Sequence, residues 1–313
     1  MPFEFKPGWS PELGQRAQAR FLETGRSFAS TAFPPIGGPT ADPHPRGFSL
    51  SFFVAWAYNQ GQVGSCFANM MAHVLQILEG ADNQTTPQWE VTNPSRRLIW
   101  RRCRELDGTA GRGSDGGSIV NSFAAVGPAP DGWGSCKEEE WPYKAEHRWL
   151  EAKPPENVLA DCQLKIRDIA QSRDMADWDR LNFSGHPIGL GIWWPFGWDS
   201  QFDRFGRTTG IGRGGFGHAI ARIGWFKDWD GHSYSQILNS HGAIYPALPS
   251  EIAREIAGYK ATAGEKTHDF WARDDLLAEV ISKYSGGNAE LYTGALASGF
   301  KARNIDTGWR DFM

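Results

Sequence analysis

The sequence predicts an α+β fold, with helices in the first half of the chain and antiparallel strands in much of the second half. Apolar residues recur at helical spacing directly after Cys66. They alternate at strand spacing over residues 186–194. Two further apolar runs, at residues 216–226 and 234–240, flank the turn sequence Asp-Trp-Asp-Gly, which is typical of an antiparallel hairpin.

The chain divides by composition into an extension and a main domain. Residues 1–47 are rich in proline, glycine and polar residues and predict an N-terminal extension, with one short helix at about residues 11–28. Residues 48–313 are expected to form the main domain. Its expected parts are a helical part at about 48–150, a β-rich part at about 151–245, and a helical closure at 246–313.

Composition argues against several classes of function. The 313 residues are 40% hydrophobic with a net charge of -4, which is ordinary for a globular protein and gives no basic surface for nucleic acid. No apolar run approaches the roughly 20 residues that span a bilayer, and the first residues lack the regions of a signal peptide, so a cytoplasmic location is expected. No histidine or cysteine pair has zinc-finger spacing, and the Gly-x-Gly-x-x-Gly motif at 210–215 precedes a strand. Neither a metal nor a cofactor is therefore expected.

The helix that follows Cys66 carries apolar side chains at positions 67, 70, 71, 74 and 78, which form one face. Gly80 is the expected stop of this helix. Cys66 then lies in the first turn, where unpaired backbone N–H groups and the helix dipole favour a thiolate.

The remaining elements follow from capping and periodicity. Residues 93–95 are expected to begin a helix that carries Leu98, Ile99, Cys103 and Leu106 on one face. The tryptophan-rich stretch at 193–198 predicts core packing, with an aromatic ligand groove as the alternative. The other predicted elements are an extended segment at 48–58, strands at 165–169, 186–194, 216–226 and 234–240, and helices at 119–126, 174–181, 250–258 and 273–284.

Five motifs follow one another between residues 59 and 242. They are Gln60 with Gly64-Ser65-Cys66, the pair Gly116-Gly117, the triplet Trp141-Pro142-Tyr143, Gly217-His218-Ala219, and Asn239-Ser240-His241. In kind and order they resemble the motifs of papain-like cysteine peptidases, peptidase family C1. Val63 and Ser114 replace two cysteines that pair in that family, and their joint loss supports the alignment. Residues 93–143 resemble more closely a divergent microbial or viral branch, which would also allow carriage in a larger assembly such as a virion.

The resemblance implies a papain-like fold of two subdomains, with the nucleophile on the helical one and the base on an antiparallel, barrel-like one. Acyl transfer by a thiol needs a base, a group that orients the base, and donors for the oxyanion. Cys66 is the expected nucleophile, with a lowered pKa and an ion pair to His218. Asn239 is expected to orient His218, and Gln60 to form the oxyanion hole with the Cys66 N–H. His241 stands where the family has a tryptophan that shields the His–Asn bond.

An extended polypeptide is the substrate that the resemblance implies. The small residues Gly191 and Ala219 predict an open pocket for a bulky apolar side chain. The residues expected to contact substrate are Gly64, Ser65, Gly116, Gly117, Gly191, Gly217 and Ala219.

The predicted function is hydrolysis of peptide bonds through a thioacyl-enzyme on Cys66. A catalytically silent or weakly active scaffold for binding or assembly is one alternative, and an amidase or transferase with the same triad is another. Residues 1–47 are expected to pack on the surface as an extension that could lie along the active-site groove, since the groove binds extended backbone. The alternative is that they wrap elsewhere and serve an assembly partner. A non-inhibitory role is favoured for them, because they lack the long charged amphipathic helix of the family's inhibitory pro-segments.

Overall fold

A computed structural model describes residues 8–23, 46–82, 91–113, 115–127, 131–172, 174–198, 200–260, 264–285 and 289–296. The helices are α1 (Pro11–Glu23), α2 (Cys66–Asp82), α3 (Arg96–Leu106), α4 (Ile119–Ala125), α5 (His147–Leu150), α6 (Glu156–Ala160), α7 (Met175–Phe183), α8 (Ser250–Ala253) and α9 (Asp274–Glu279). The strands are β1 (Gly47–Ser49), β2 (Ile166–Gln171), β3 (Ile188–Pro195), β4 (Gly215–Lys227), β5 (Ser233–Leu238), β6 (Tyr245–Pro246), β7 (Lys266–Thr267), β8 (Asp269–Arg273) and β9 (Glu290–Leu296).

One antiparallel sheet organises the fold. Among the described residues it has seven strands in the order β2-β9-β3-β4-β5-β8, and β1 pairs with the far end of β4. The predicted hairpin is confirmed as β4 and β5. Their ladder ends where Leu238 pairs with Ala221, so the chain beyond β5 leaves the sheet beside the first half of β4.

The helices α2, α3 and α4 form the second part of the fold. All residues of α2 from Cys66 to Leu78 are buried, which is the pattern of a helix enclosed on every side. α2 packs between β4 and the helices α3 and α4. Ser95 caps α3 by accepting a hydrogen bond from the Leu98 N–H at 3.2 Å, and Ser118 caps α4 in the same way.

Two local predictions in the helical part are wrong. α2 does not stop at Gly80 but continues to Asp82. The Phe53 ring packs so closely on Gly80 that a side chain at this position would overlap it, so the glycine permits a contact inside the helix. Residues 48–58 are not one extended segment, because a 3₁₀ turn at Ser51–Phe53 follows β1.

The expected helical closure at 246–313 is also wrong where the structure describes it. α8 is a single turn, and the predicted helix at 273–284 is α9 followed by a π-helical turn at Val280–Tyr284. β8 and β9 instead complete the main sheet. Every residue of β9 is buried, so its sequence lacks the alternation of a half-exposed strand. No helix in the described ranges combines the length and the apolar character that crossing a membrane requires.

Candidate active site

Cys66 is the first residue of α2 and is fully buried. Its Sγ accepts a hydrogen bond from the backbone N–H of Ala219 at 3.2 Å. Ala219 follows His218 on β4, so the predicted base is the strand neighbour of the residue that contacts the predicted nucleophile. The contact joins residues 153 positions apart, across the boundary between the helical part and the sheet.

His218 and Asn239 lie on neighbouring segments of the β4–β5 hairpin. Nε2 of His218 and Oδ1 of Asn239 are 2.8 Å apart. The amide oxygen accepts a hydrogen bond, so this contact assigns the ring proton to Nε2 and makes Nδ1 the basic nitrogen. The Asn239 oxygen also accepts the Ser240 N–H at 2.7 Å, which holds the amide in this orientation.

Aromatic rings enclose the His218–Asn239 hydrogen bond. His241 stacks on His218 with ring centroids 4.9 Å apart, and the edge of Trp194 meets His218 at 5.0 Å. Asn239 donates its amide N–H to the Tyr245 hydroxyl at 2.7 Å. His218 and Asn239 are at most 1% exposed. The bond is therefore shielded without the tryptophan of the papain-like pattern, and the tryptophan-rich stretch was the only sequence signal for Trp194.

Gln60 links the Cys66 loop to the segment that follows Asn239. Its Oε1 accepts the Ser240 hydroxyl at 2.6 Å, and its Nε2 donates to the Val63 carbonyl at 3.3 Å. These contacts fix a buried amide close to Cys66 along the chain. A primary amide has two N–H donors, so the second one is compatible with the oxyanion role that the sequence predicts.

Hydrogen bonds join the loop before α2 to the loop before α4. The Gly64 N–H donates to Oδ1 of Asp115 at 2.8 Å, and the Gly116 N–H donates to the Gly64 carbonyl at 3.1 Å. Ser65 and Tyr143 share a hydroxyl hydrogen bond of 2.6 Å. In this structure Gly64, Ser65 and Gly116 therefore make contacts within the fold, and their predicted substrate contacts stay a prediction.

Residues 8–10 occupy the groove between these loops and β4, which we call the cleft. The Gly8 N–H donates to the Gly217 carbonyl and the Gly117 N–H donates to the Gly8 carbonyl, both at 3.1 Å. Gly8 lies so close to Cys66 that a Cβ built on it would overlap the sulfur. For this segment the extension lies along the groove rather than elsewhere on the surface, and Trp9 is only 2% exposed. α1 follows this segment and is consistent with the predicted short helix, whereas residues 1–7 and 24–45 lie outside the described ranges.

The covered thiol does not have the lowered pKa that the sequence predicts. Burial raises the pKa of Cys66 to about 12, against the opposing effect of hydrogen bonds from the N–H groups of Ala219, Phe67 and Cys66 itself. Removing a thiolate from water disfavours its charge, and here this effect exceeds that of the helix start. The predicted lowering came from the N–H groups at the start of α2, whereas the burial comes from residues 8–10, which are distant in the sequence.

Gly191 and Ala219, the two expected pocket residues, pair with each other across β3 and β4. Gly191 contacts the Trp9 side chain, while Ala219 provides the N–H that meets Cys66. Within the described residues no group of three or more histidine, cysteine, aspartate or glutamate side chains is placed to hold a metal ion.

No model of a protein family matches the chain, and no curated protein matches its sequence. Solved structures do match its fold. Xylellain, a cysteine protease from Xylella fastidiosa, has a TM-score of 0.58 at 20% identity, covering 86% of this chain and 90% of its own. The bromelain protease of Ananas comosus has a TM-score of 0.52 at 16% identity, covering 80% and 99%. The ragweed allergen Amb a 11, a cysteine protease in its proform, has a TM-score of 0.56 at 16% identity, covering 88% and 72%.

The fold is therefore papain-like, as the motifs predict: an α+β fold in which a helical part and an antiparallel part meet at the cleft.

Proposed function

We propose that the chain is a cysteine peptidase that acts through a thioacyl-enzyme on Cys66. The sulfur attacks the carbonyl carbon of a peptide bond, and His218 transfers the thiol proton to the departing amine. Water then attacks the thioester with His218 as base, which releases the acid and restores the thiol. Asn239 holds the His218 ring in the tautomer that these proton transfers require.

Two hydrogen bonds support the proposal most directly, one at Cys66 and one between His218 and Asn239. The hydrogen bond to Cys66 comes from the residue after His218, and the Nε2 of His218 meets Asn239 at 2.8 Å. Enclosure by aromatic rings strengthens this contact, because a hydrogen bond is electrostatically stronger in a medium of low dielectric. An unused scaffold has no need to keep this arrangement buried and oriented.

A polypeptide is the proposed substrate, since the cleft already holds extended backbone at residues 8–10. The Gly8 carbonyl is bonded to the Gly117 N–H, and the Gln60 amide donates elsewhere. The Gly8 carbonyl thus bonds to Gly117 rather than to the predicted oxyanion donors, which supports a role of this strand as a cover rather than a substrate. Two of the similar solved structures, Amb a 11 and a procathepsin L 3 of Tenebrio molitor, are proforms. An inhibitory extension is accordingly favoured over the docking tail that the sequence suggests.

The experiment uses the full-length chain and its Trp9→Gly variant, in which the cover loses its buried side chain. We expect the epoxide inhibitor E64, which the bromelain structure contains, to label Cys66 in the variant and to spare Cys103, Cys136 and Cys162. Peptide hydrolysis should rise with labelling, and His218→Ala should abolish both. A variant that neither cleaves a peptide library nor takes up the epoxide at Cys66 would instead support the silent scaffold.

A further inference from the structure

The hydroxyl of Tyr143, the last residue of the Trp-Pro-Tyr triplet, joins the two ends of the loop that leads to Cys66. It donates a hydrogen bond to the Gln60 carbonyl at 2.8 Å. It also shares a hydrogen bond of 2.6 Å with the Ser65 hydroxyl. Gln60 carries one of the two proposed oxyanion donors, and Ser65 directly precedes Cys66, whose N–H is the other. One side chain therefore connects the segments that carry both donors.

The direction of these hydrogen bonds follows from counting protons. The Gln60 carbonyl can only accept, so the single phenolic proton of Tyr143 is committed to it. The contact of 2.6 Å between Tyr143 and Ser65 then needs the Ser65 proton, in preference to the Val63 carbonyl at 3.4 Å. The Ser65 oxygen in turn accepts the Asn69 amide at 3.2 Å. Because burial raises the pKa of Tyr143 to about 12, the phenol keeps its proton at neutral pH.

The ring of Tyr143 is held independently of its hydroxyl. Its backbone N–H donates to Oε1 of Glu138 at 3.0 Å. The guanidinium of Arg96, at the start of α3, lies over the ring at 4.3 Å from its centroid. Arg96 is paired with the same Glu138 at 2.7 Å. A phenylalanine at position 143 keeps the ring contacts and the backbone bond, so it removes the hydroxyl alone.

We propose that Tyr143 is a positioning residue for the oxyanion hole, because its hydroxyl fixes the spacing between the Gln60 amide and the Cys66 N–H. The inference rests on the proposed peptidase function. Two donors stabilise an oxyanion fully only when they are already aimed at one point as the charge develops. A small displacement of such groups is costly even when it starts far from the reacting atoms. The oxyanion exists only beyond the ground state, so the effect should fall on kcat rather than on KM.

The first test compares Tyr143→Phe with its parent in the full-length Trp9→Gly background. We expect kcat to fall about 5- to 50-fold at nearly unchanged KM, less than the 10²- to 10³-fold loss of a whole donor. Alkylation of Cys66 by iodoacetamide forms no oxyanion, so its rate should stay within about twofold. Tyr58→Phe is the matched control: Arg96 also lies over its ring, at 4.5 Å, but its hydroxyl donates to Asn93 at 2.7 Å. An unchanged kcat in Tyr143→Phe would overturn the role, and so would a parallel loss of alkylation.

The second test asks whether Tyr143 acts through the Gln60 amide. Adding Tyr143→Phe to Gln60→Ala should lower kcat by less than about twofold, because no amide remains to be positioned. A general structural defect would instead lower kcat by the same factor in both backgrounds, which would contradict the proposal. Urea denaturation checks that each variant is folded. If Tyr143→Phe is not, Ser65→Ala removes the shared hydrogen bond from the other side, and it should also lower kcat at unchanged alkylation.

The parent variant separates the two hypotheses. If Trp9→Gly hydrolyses no peptide while its Cys66 is still alkylated, the peptidase function is refuted and the role of Tyr143 falls with it. If Trp9→Gly hydrolyses peptides and Tyr143→Phe hydrolyses them equally fast, only the role of Tyr143 is refuted.

Discussion

The cleft has two ends that are built differently. At the end that we propose to be reactive, His218 and Asn239 are bonded to each other, and the N–H of Ala219, the residue after His218, donates to Cys66. At the other end, which we propose to be selective, Trp9 fills the space beside Gly191, and Glu290 accepts its indole N–H. The reactive groups depend on one another, while the selective end depends on its occupant. Substitutions at the reactive end should therefore slow every substrate, and those at the selective end should change which substrate binds.

The largest effect is expected from the triad itself. In the Trp9→Gly background, Cys66→Ala or His218→Ala should each lower kcat by about 10⁴- to 10⁶-fold, because members of a catalytic triad act as one unit. Steady-state hydrolysis of several unrelated peptides measures this, and the loss should be uniform across them. The exposed substitution Glu251→Gln is the control. A loss confined to some peptides would mean that these residues belong to substrate selection instead.

The second effect concerns the oxyanion. Gln60→Ala in the same background should lower kcat by about 10²- to 10³-fold, the usual loss for one oxyanion donor. Alkylation of Cys66 by iodoacetamide creates no oxyanion, so its rate should change little. Parallel loss of both rates would contradict the role, since it would show that Gln60 acts through the position of Cys66 and the contact with Ser240.

The third effect is a gain in the reactivity of Cys66 when residues 8–10 no longer cover its sulfur. The thiol with its pKa raised to about 12 is neutral at pH 7. Gly8→Val would force the strand away from the sulfur, and water together with the N–H donors should then lower the pKa. Each unit of this fall raises the thiolate fraction about tenfold. Rates of iodoacetamide reaction between pH 5 and 10 measure it, with the exposed substitution Arg20→Ala on α1 as control. An unchanged midpoint of the pH–rate curve would show that the strand does not control the pKa of the thiol.

The smallest effect lies outside both ends of the cleft. Ser95→Ala removes the cap of α3 and its hydrogen bond to the Trp141 carbonyl, and should cost about 1 kcal/mol in the free energy of unfolding. Urea denaturation of the full-length chain measures this, and kcat in the Trp9→Gly background should not change. A fall in kcat at unchanged stability would show that the cap also shapes the reactive end.

Local sequence was enough to predict the reactive end. Thiol chemistry requires a few residue types, and His218 and Asn239 are only 21 positions apart in one hairpin, so the motif and the turn together placed them as neighbours. The helix beginning at Cys66 and the face of α3 followed from periodicity in the same way. Shielding by Trp194 and Tyr245 could not be predicted from the sequence, because it depends on how side chains from separate strands pack around the His218 ring.

The selective end and the state of the thiol were decided by the tertiary structure. Trp9 and Glu290 are 281 positions apart, neither lies in a motif, and β9 lacks the alternation that would have marked it as a strand. Sequence predicted an open pocket from Gly191, but the carboxylate that closes it comes from a strand at the other end of the chain. It also predicted a lowered pKa for Cys66 from the start of α2. Whether a charge is stable depends on the surrounding solvent as well as on nearby donors, and only the fold places Gly8 over the sulfur.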